Sequence, residues 1–216
     1  MDGTGKLFGP IISLLPETIV SEVIPLSSLK EDDAISQANE IAQRIGNEQI
    51  VIFAESYSGI IAYQLCQMSS LNIKHVFFAA SFLYRPSHIS KFAYLAPISI
   101  IRLNLIPKFF LSWILFGSWY RKDLVGLFLQ SLEQVSNATL KKRLKIISSL
   151  IEPNNLIQTP CTYLQAKKDK LVSKYAVIQF QKICVNLNIK KLDGGHFIAQ
   201  SNPQKCVEVI CAEYSL

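Results

Sequence analysis

Short apolar runs alternate with amphipathic segments along most of this chain, and this alternation limits the folds that it can adopt. Residues 49–54 (QIVIFA) and 74–80 (KHVFFAA) carry few polar side chains. Runs of this length and composition are typical of strands that are buried on both faces of a parallel sheet. Helical patterns separate the runs, so right-handed crossovers are expected. We therefore predict an α/β fold, a three-layer sandwich with a mainly parallel sheet between two layers of helices.

The same patterns predict strands and helices on both sides of the middle of the chain. The first long helix is indicated by Ser28 as an N-cap, by Glu31 three positions later as in a capping box, and by apolar residues at helical spacing. In a parallel sheet, functional residues lie at the carboxyl ends of the strands. The predicted strands are residues 18–26, 49–54, 74–80, 159–166 and 189–192, and the predicted helices are residues 28–45, 60–69, 174–186 and 203–214.

The length and composition of the chain indicate one folded domain over residues 1–216. Half of the 216 residues are hydrophobic and only 18% are charged, so a large apolar core must be buried and general disorder is excluded. The most apolar stretch, residues 94–117, is interrupted by Arg102 and Lys108. Its charge-free runs are shorter than a membrane-spanning helix requires. A multi-span membrane protein is therefore not expected.

The cysteines and the N-terminal residues point to a reducing compartment. Five cysteines are scattered without a C-x-x-C pair, so the sequence predicts neither a zinc site nor a disulfide framework. The N-terminus lacks the basic region and the small-residue cleavage site of a signal peptide. We therefore expect a cytoplasmic protein with free thiols.

The middle of the chain differs from its flanks in both charge and hydrophobicity. Residues 85–145 carry ten basic and two acidic side chains, a net charge of +8, which leaves −2 for the rest of a chain whose net charge is +6. The same segment contains the run FFLSWILF at residues 109–116, and a helix that is apolar all round must be packed on both sides or contact lipid. This shift in composition predicts an insert at residues 85–150.

Ser56 is a candidate nucleophile because it stands between a predicted buried strand and a predicted helix. The surrounding sequence A-E-S-Y-S-G is a relaxed form of G-x-S-x-G, with small residues at Ala54 and Ser58, where the tight turn leaves little room. A nucleophile at such a turn exposes its hydroxyl above the sheet. The alternative is that Ser56 is only the N-cap of the following helix.

A serine hydroxyl needs a base, and His196 is the best placed of the three histidines. It follows two glycines directly after the last predicted strand, where a sharp turn can present an imidazole at the carboxyl edge of the sheet. The alternative is a surface histidine in a glycine-rich loop. We expect structural or solvent-facing roles for His75 and His88.

The base in turn needs an orienting carboxylate, and Asp169 is the acid that follows a predicted strand. The alternative for Asp169 is a solvated turn within K-K-D-K. The order Ser, Asp, His, with each residue after a strand, is more specific than any one of the three. The other acids between Ser56 and His196 lie in the basic insert, in a linker, or too close to the histidine in sequence: Asp123, Glu133, Glu152 and Asp193.

Three segments together resemble the α/β-hydrolase superfamily, in particular its bacterial serine esterase-like and lipase-like members. They are the strand, turn and helix around Ser56, the P-x-x-Y-L-x-A-x-x-D-x-L-V stretch at residues 160–172, and G-G-H-F-I at residues 194–198. The opening M-D-G-T-G is similar to the oxyanion loop of that family. The resemblance covers nearly the whole chain except residues 85–150, which correspond to the variable helical cap of the family.

The resemblance implies a role for each candidate residue. Ser56 would be the nucleophile, His196 the general base and acid, and Asp169 the residue that holds His196. These roles predict a serine hydrolase that cleaves carboxylic esters or thioesters of hydrophobic acyl groups through an acyl-enzyme, with neither a metal ion nor a cofactor. The alternatives are acyl transfer to another alcohol and an inactive remnant that binds lipid or protein.

The oxyanion loop is also where the chain departs from the family. The resemblance implies an oxyanion hole formed by the backbone N–H of Tyr57 and that of Met1 or Asp2. The family has a strand before this loop, between the strands that match residues 18–26 and 49–54, whereas this sequence begins inside the loop. Three explanations are open: a start further upstream, a first strand that pairs directly with the second, or a decayed gene.

The predicted cap bears on the partners of the protein. A cap that is both basic and apolar would suit a hydrophobic substrate presented by an anionic membrane surface or by an acidic acyl carrier protein. The alternative is a buried cap helix surrounded by solvated lysines. Nucleic acid is not an expected partner, because the charge does not accompany a recognised binding module.

Overall fold

The sheet at the centre of the fold has four parallel strands in the described part of the chain. The computed structural model describes residues 3–86 and 105–214, and within them the strands are neighbours in their order along the chain. All three neighbouring pairs are parallel, which confirms the predicted α/β class. The strands are Gln49–Glu55 (β1), Asn72–Ala79 (β2), Cys161–Ala166 (β3) and Leu187–Leu192 (β4).

Helices pack on both faces of this sheet. In the part of the chain that the structure describes, the α-helices are Gly9–Ile12 (α1), Ala34–Ile45 (α2), Ser58–Cys66 (α3), Lys108–Phe116 (α4), Lys122–Glu133 (α5), Asn137–Ser149 (α6), Tyr175–Ile183 (α7), Ile198–Ser201 (α8) and Pro203–Tyr214 (α9). One face of the sheet packs against α1, α8 and α9, and the other against α3 and α7. Among the helices of the described residues, none is both long enough and apolar enough to cross a bilayer.

The apolar runs lie at the centre of the sheet because both of their faces are covered. Phe77 and Phe78 are successive residues of β2, so their side chains point to opposite faces, and both are fully buried. Phe77 belongs to the apolar cluster on one face, with Val207 of α9. Phe78 belongs to the cluster on the other face, where its ring centre lies 4.6 Å from that of Phe180 in α7. Burial on both sides explains why this strand is continuously apolar.

The first long helix begins later than predicted. α2 begins at Ala34 because Asp33 is its N-cap and accepts a hydrogen bond from the backbone N–H of Ser36 at 2.9 Å. Ser28 instead lies in a 3₁₀ turn, where its hydroxyl donates to the carbonyl oxygen of Pro25 at 2.7 Å. The predicted capping box is therefore wrong. Serine and aspartate are both good N-caps, and the pattern around them did not distinguish the two starts.

The predicted strand at residues 18–26 is also wrong. Residues 18–25 form no regular secondary structure, and the chain then enters the 3₁₀ turn Leu26–Ser28. A groove of about 780 Å³ lies between this segment and β1, with Val23 and Phe53 among its lining residues. In the described part of the chain the two do not pair, so the explanation in which they pair directly is excluded. Strand propensity depends on a neighbouring strand to pack against, and no strand of the described residues pairs with residues 18–25.

Among the residues that the structure describes, α4, α5 and α6 lie within the predicted insert at residues 85–150. α4 and α5 pack against the segment after β4: the ring centre of Phe197 lies 5.7 Å from that of Phe116 and 5.6 Å from that of Phe128. These contacts place apolar helices over the carboxyl edge of the sheet. The division of residues 1–216 into one domain with this insert stays a prediction.

Arg143 differs from the solvated basic side chains expected around the insert. It lies on α6 and is fully buried, although arginine is mostly exposed in folded proteins. It lies beside Gly3, where an added Cβ atom would be 2.5 Å from its Nη1. Gly3 also has a φ of +70°, which favours glycine. α6 therefore contacts the N-terminal loop through the buried Arg143, and the contact leaves no space for a side chain at position 3.

Gly59 in α3 should not tolerate a side chain. A Cβ atom there would lie 2.6 Å from Cβ of Ser81, whose hydroxyl is held by a hydrogen bond to the carbonyl oxygen of Ala54 at 2.8 Å. We expect Gly59→Ala to lower the free energy of unfolding by about 1–3 kcal/mol, the usual cost of overpacking. The control is Gly126→Ala in α5, which meets no atom within 4 Å and should be neutral or stabilise by up to ~1 kcal/mol. Equal stabilities of the two variants in urea unfolding would contradict this close packing.

Candidate active site

Ser56 occupies a strained turn between β1 and α3. Its φ is +57°, in the left-handed region that residues other than glycine rarely adopt. Two hydrogen bonds hold the turn. The N–H of Ser56 donates to the carbonyl oxygen of Ala79 at 2.9 Å, and the hydroxyl of Ser58 donates to the backbone carbonyl oxygen of Glu55 at 2.8 Å. This is the sharp turn that the sequence A-E-S-Y-S-G predicts. Backbone strain of this kind is concentrated at functional sites.

His196 lies in the loop after β4 and reaches the serine. Its Nε2 is 2.7 Å from Oγ of Ser56. Two backbone hydrogen bonds hold the loop to the end of α4. The N–H of Gly195 donates to the carbonyl oxygen of Phe116 at 3.1 Å, and the N–H of Phe197 donates to the carbonyl oxygen of Leu115 at 3.0 Å. The position of the imidazole therefore depends on α4 as well as on the sheet.

Asp169 binds the other nitrogen of the imidazole. Its Oδ2 lies 3.0 Å from Nδ1 of His196, and its Oδ1 accepts hydrogen bonds from the backbone N–H groups of Leu171 at 2.8 Å and Val172 at 2.9 Å. Burial opposes ionisation of this carboxyl group. The hydrogen bond from His196, the charge that this imidazole carries when it is protonated, and the two backbone N–H groups outweigh that effect and hold the pKa of Asp169 below its usual value.

The three side chains form a continuous hydrogen-bonded line. An ionised carboxylate can only accept, so Nδ1 of His196 carries the proton and Nε2 is free to accept one from Ser56. Ser56 and His196 are both more than nine-tenths buried, and the side chain of Asp169 is 8% exposed. The arrangement can therefore remove the proton from the serine hydroxyl as its oxygen attacks an electrophilic carbon.

The structure separates the other described histidine from this site. His75 lies on β2, where its Nε2 is 2.9 Å from the hydroxyl of Thr162 and its ring packs on Phe77. Burial lowers the pKa of His75, although the charge of Glu213 acts in the opposite direction. His75 therefore has a structural role, as expected, whereas His88 lies outside the described residues.

Three of the other candidate acids form ion pairs away from the imidazole. Asp123 pairs with Arg121 at 3.3 Å, Glu152 with Lys182 at 3.5 Å and Asp193 with Lys167 at 3.2 Å. Their side chains are exposed, which leaves Asp169 as the described acid in contact with His196. Within residues 3–86 and 105–214, no three His, Cys, Asp or Glu side chains are grouped as a metal site would require.

Tyr57 is the described member of the predicted oxyanion hole. It immediately precedes α3, so its backbone N–H belongs to the first turn of a helix, where N–H groups have no partner within the helix. Its side chain is fully buried, and burial raises the pKa of its hydroxyl to about 12. Met1 and Asp2, the predicted sources of the second N–H, lie outside the described residues.

A further buried ionisable group, Glu55, lies immediately before Ser56. Its Oε1 accepts a hydrogen bond from the backbone N–H of Ala199 at 2.9 Å, and its Oε2 accepts one from Nε2 of Gln200 at 3.0 Å. The same amide nitrogen also donates to the carbonyl oxygen of Leu7 at 2.9 Å. Glu55 thus joins the nucleophile turn to α8, the helix that directly follows the histidine loop, and Gln200 in turn joins α8 to the N-terminal segment.

Sequence reasoning missed this role of Glu55. Burial raises the pKa of its carboxyl group, although the hydrogen bonds from Ala199 and Gln200 and the charge of His196 act in the opposite direction. One signal was present, because an acidic residue at the end of a buried strand needs polar partners. Those partners are 144 and 145 positions away, however, and no local pattern identifies them.

Comparison with known proteins identifies the fold. No protein-family model matches the chain, and no curated protein matches its sequence. Among solved structures, an esterase from Exiguobacterium antarcticum matches with a TM-score of 0.79 and 14% identity, over 99% of this chain and 88% of that one. A hydrolase from Oleispira antarctica matches with a TM-score of 0.75 and 14% identity, over 100% of this chain and 88% of that one.

A third similar structure carries the name of the fold. It is an α/β-hydrolase enzyme from a deep-sea metagenome library of the Medee basin, with a TM-score of 0.61 and 17% identity, over 87% of this chain and 74% of that one. Identities this low establish the fold rather than a substrate. The sheet order, the turn at Ser56 and these structural matches together show that the chain adopts the α/β-hydrolase fold.

Proposed function

We propose that the protein is a serine hydrolase that cleaves carboxylic esters or thioesters. The observation that carries the proposal is the unbroken line of hydrogen bonds from Ser56 through His196 to Asp169, with distances of 2.7 Å and 3.0 Å. Solved structures that share the fold include proteins described as an esterase and a hydrolase, which supports the same class of chemistry.

The proposed reaction proceeds through an acyl-enzyme. Oγ of Ser56 attacks the carbonyl carbon while Nε2 of His196 takes its proton, and the backbone N–H of Tyr57 donates to the oxyanion that forms. His196 then returns the proton to the leaving alcohol or thiol. In the second half, a water molecule attacks the acyl carbon while His196 takes its proton. The bond between that carbon and Oγ of Ser56 then breaks, His196 returns the proton to Oγ, and the free acid is released. Asp169 keeps the imidazole oriented and stabilises its positive charge throughout.

The surroundings of the imidazole favour a hydrophobic acyl group. The ring centre of Phe197 lies 5.2 Å from that of His196 and packs against Phe116 and Phe128 on the helices above. The groove of about 780 Å³ beside β1 is lined by Ser56 and Phe197 and otherwise mainly by apolar side chains. An apolar lining gives little stabilisation to a charged substrate and buries an acyl chain favourably. The substrate class proposed here is therefore an ester or thioester of a hydrophobic acid.

The aligned triad favours catalysis over the inactive-remnant alternative. A protein that only binds lipid or another protein has no need of a strained serine, a buried imidazole and a buried carboxylate in hydrogen-bonding contact. Acyl transfer to an alcohol would use the same acyl-enzyme with a different acceptor. Product analysis distinguishes transfer from hydrolysis.

Ser56→Ala should abolish hydrolysis of short p-nitrophenyl esters without unfolding the protein. Removal of a serine nucleophile typically lowers kcat roughly a million-fold. The control is Ser148→Ala, which removes an exposed hydroxyl from α6 that donates only to its own helix. A fluorophosphonate probe should label the parent and the control but not Ser56→Ala. Equal turnover by all three proteins, or no labelling of the parent, would refute the proposed function.

Asp169→Asn should reduce the dependence of stability on pH. The pKa of Asp169 in the folded protein lies below its unfolded value of about 3.9. Its ionised form therefore stabilises the fold above that pH, and this contribution is lost as the pH falls through the folded pKa. Asparagine does not titrate, so the free energy of unfolding of the variant should fall less than that of the parent between about pH 5 and about pH 2.5.

Urea unfolding at a series of pH values measures this difference. Glu55, whose pKa is raised, acts in the opposite direction but is common to all the proteins compared. Asp193→Asn is the matched control, because Asp193 forms an exposed ion pair with Lys167. The free energy of unfolding of Asp193→Asn should depend on pH as that of the parent does. Identical slopes for Asp169→Asn and the parent would show that the buried pairing is not formed in solution.

Glu55→Gln should lower kcat while KM stays close to that of the parent. The new amide group would point a donor at the side-chain nitrogen of Gln200, so the bond that joins the nucleophile turn to α8, directly after the histidine loop, would break. A small displacement of reacting groups costs on the order of 10- to 100-fold in rate. The control is Glu208→Gln, which changes an exposed glutamate on α9. If kcat of Glu55→Gln stays within twofold of the parent while its stability falls, Glu55 does not position the reacting groups.

A further inference from the structure

A cluster of aromatic side chains projects from α4 and the turn that follows it. Phe109, Phe110, Trp119 and Tyr120 are 55%, 40%, 46% and 84% exposed. Trp113 lies among them: its ring centre is 5.9 Å from that of Phe110 and 5.2 Å from that of Trp119. Exposed apolar clusters of this kind on a protein surface mark interaction sites. We call these five residues, with the lysines around them, the aromatic–basic patch.

The lysines of the patch surround these rings. Nζ of Lys170 lies 5.1 Å from the ring centre of Trp113, a cation–π contact. Lys168 lies beside the turn after α4, where its Cβ is 2.9 Å from the Cβ position of Gly117. Lys108 begins α4 and Lys122 begins α5, and all four lysines are exposed. Asp123, the acid next to Lys122 in sequence, is neutralised by an ion pair with Arg121 at 3.3 Å. The patch therefore carries net positive charge.

Aromatic rings among lysines match the chemistry of the surface of an anionic bilayer. Tryptophan and tyrosine favour the headgroup region, phenylalanine reaches the acyl boundary, and lysines attract anionic headgroups. Fluid lipids adapt to separate protruding rings, whereas a protein partner needs a complementary shape. Charge alone would suit an acidic protein, but the stacked, exposed rings favour lipid.

We propose that the aromatic–basic patch docks the protein on an anionic lipid bilayer, with its rings in the headgroup region and its lysines against anionic headgroups. The docking does not require the chemistry proposed above. The inference that the bilayer supplies the substrate does rest on the proposed hydrolase function.

The patch is continuous with the candidate active site. Lys168 and Lys170 are the immediate neighbours of Asp169 in sequence, and the last carbonyl groups of α4 accept hydrogen bonds from the N–H groups of Gly195 and Phe197, on either side of the catalytic histidine. A bilayer held at the patch would therefore lie next to the loops that carry two of the three triad residues. The substrate class that follows is a membrane-resident ester of a hydrophobic acid.

Vesicle binding by the full chain tests the docking separately from catalysis. Ser56→Ala protein is mixed with vesicles of phosphatidylcholine alone or with added phosphatidylglycerol, and binding is measured by co-sedimentation. Brominated acyl chains in the same vesicles report by fluorescence quenching whether the tryptophans enter the bilayer. We expect binding to the anionic vesicles, weaker binding at high salt, and quenching of tryptophan fluorescence.

Two double variants separate charge from ring insertion. Lys122→Glu with Lys170→Glu, and Phe109→Ser with Trp119→Ser, should each weaken binding by on the order of tenfold or more. Lys74→Glu with Lys182→Glu is the matched charge control, because these exposed lysines lie near the amino ends of β2 and β4, away from the carboxyl edge. Thermal unfolding confirms that each variant is folded.

The matched apolar control is Leu156→Ser with Val185→Ser, which removes exposed apolar side chains before the amino ends of β3 and β4. Both control double variants should bind the anionic vesicles as tightly as the Ser56→Ala protein that serves as the parent in this experiment. Equal binding by patch and control variants, or no binding of the parent to anionic vesicles at low salt, would overturn the proposal. Binding to a purified acidic carrier protein but not to vesicles would assign the patch to a protein partner and overturn it as well. These results do not depend on turnover, so failure of docking is distinct from failure of the hydrolase proposal.

Discussion

The parallel pairing of β1 to β4 is the constraint on which the candidate site depends. Because all four strands run in one direction, the loops after β1, β3 and β4 leave the sheet at the same edge. Ser56, Asp169 and His196 each stand in one of these loops. Antiparallel pairing would place neighbouring loops at opposite ends of the sheet, a strand length apart. Strand direction therefore brings the three side chains together before any contact between them forms.

Strand direction brings the loops together, but buried hydrogen bonds set the distances within the site. The left-handed backbone of Ser56 and the burial of the Glu55 carboxyl group both oppose folding. Each is stabilised by a distant segment: the carbonyl oxygen of Ala79 binds the serine N–H, and Ala199 and Gln200 bind the carboxylate. Unfavourable groups that are held in this way beside reacting atoms are typical of functional sites.

The helices above the site have two faces with different chemistry. On the inner side, Phe116 and Phe128 pack against Phe197, and the end of α4 accepts hydrogen bonds from the histidine loop. On the outer side, exposed aromatic rings lie near exposed lysines. The sequence pattern left open whether the apolar run of α4 is buried or contacts lipid. The structure shows that one side is buried, and the exposed rings on the other side are the basis of the proposed membrane docking.

The sequence by itself determined the alternation of strands and helices and placed the three candidate catalytic residues after strands, because hydrophobic periodicity and glycine content are local properties. Local patterns were insufficient at residues 18–26, where β-branched residues pair with no strand of the described chain, and at the start of α2, where two good N-caps compete. Only the tertiary structure decided that Arg143 is buried and that Glu55 binds Gln200. These contacts join residues far apart along the chain, and their energy depends on burial, which no local pattern specifies.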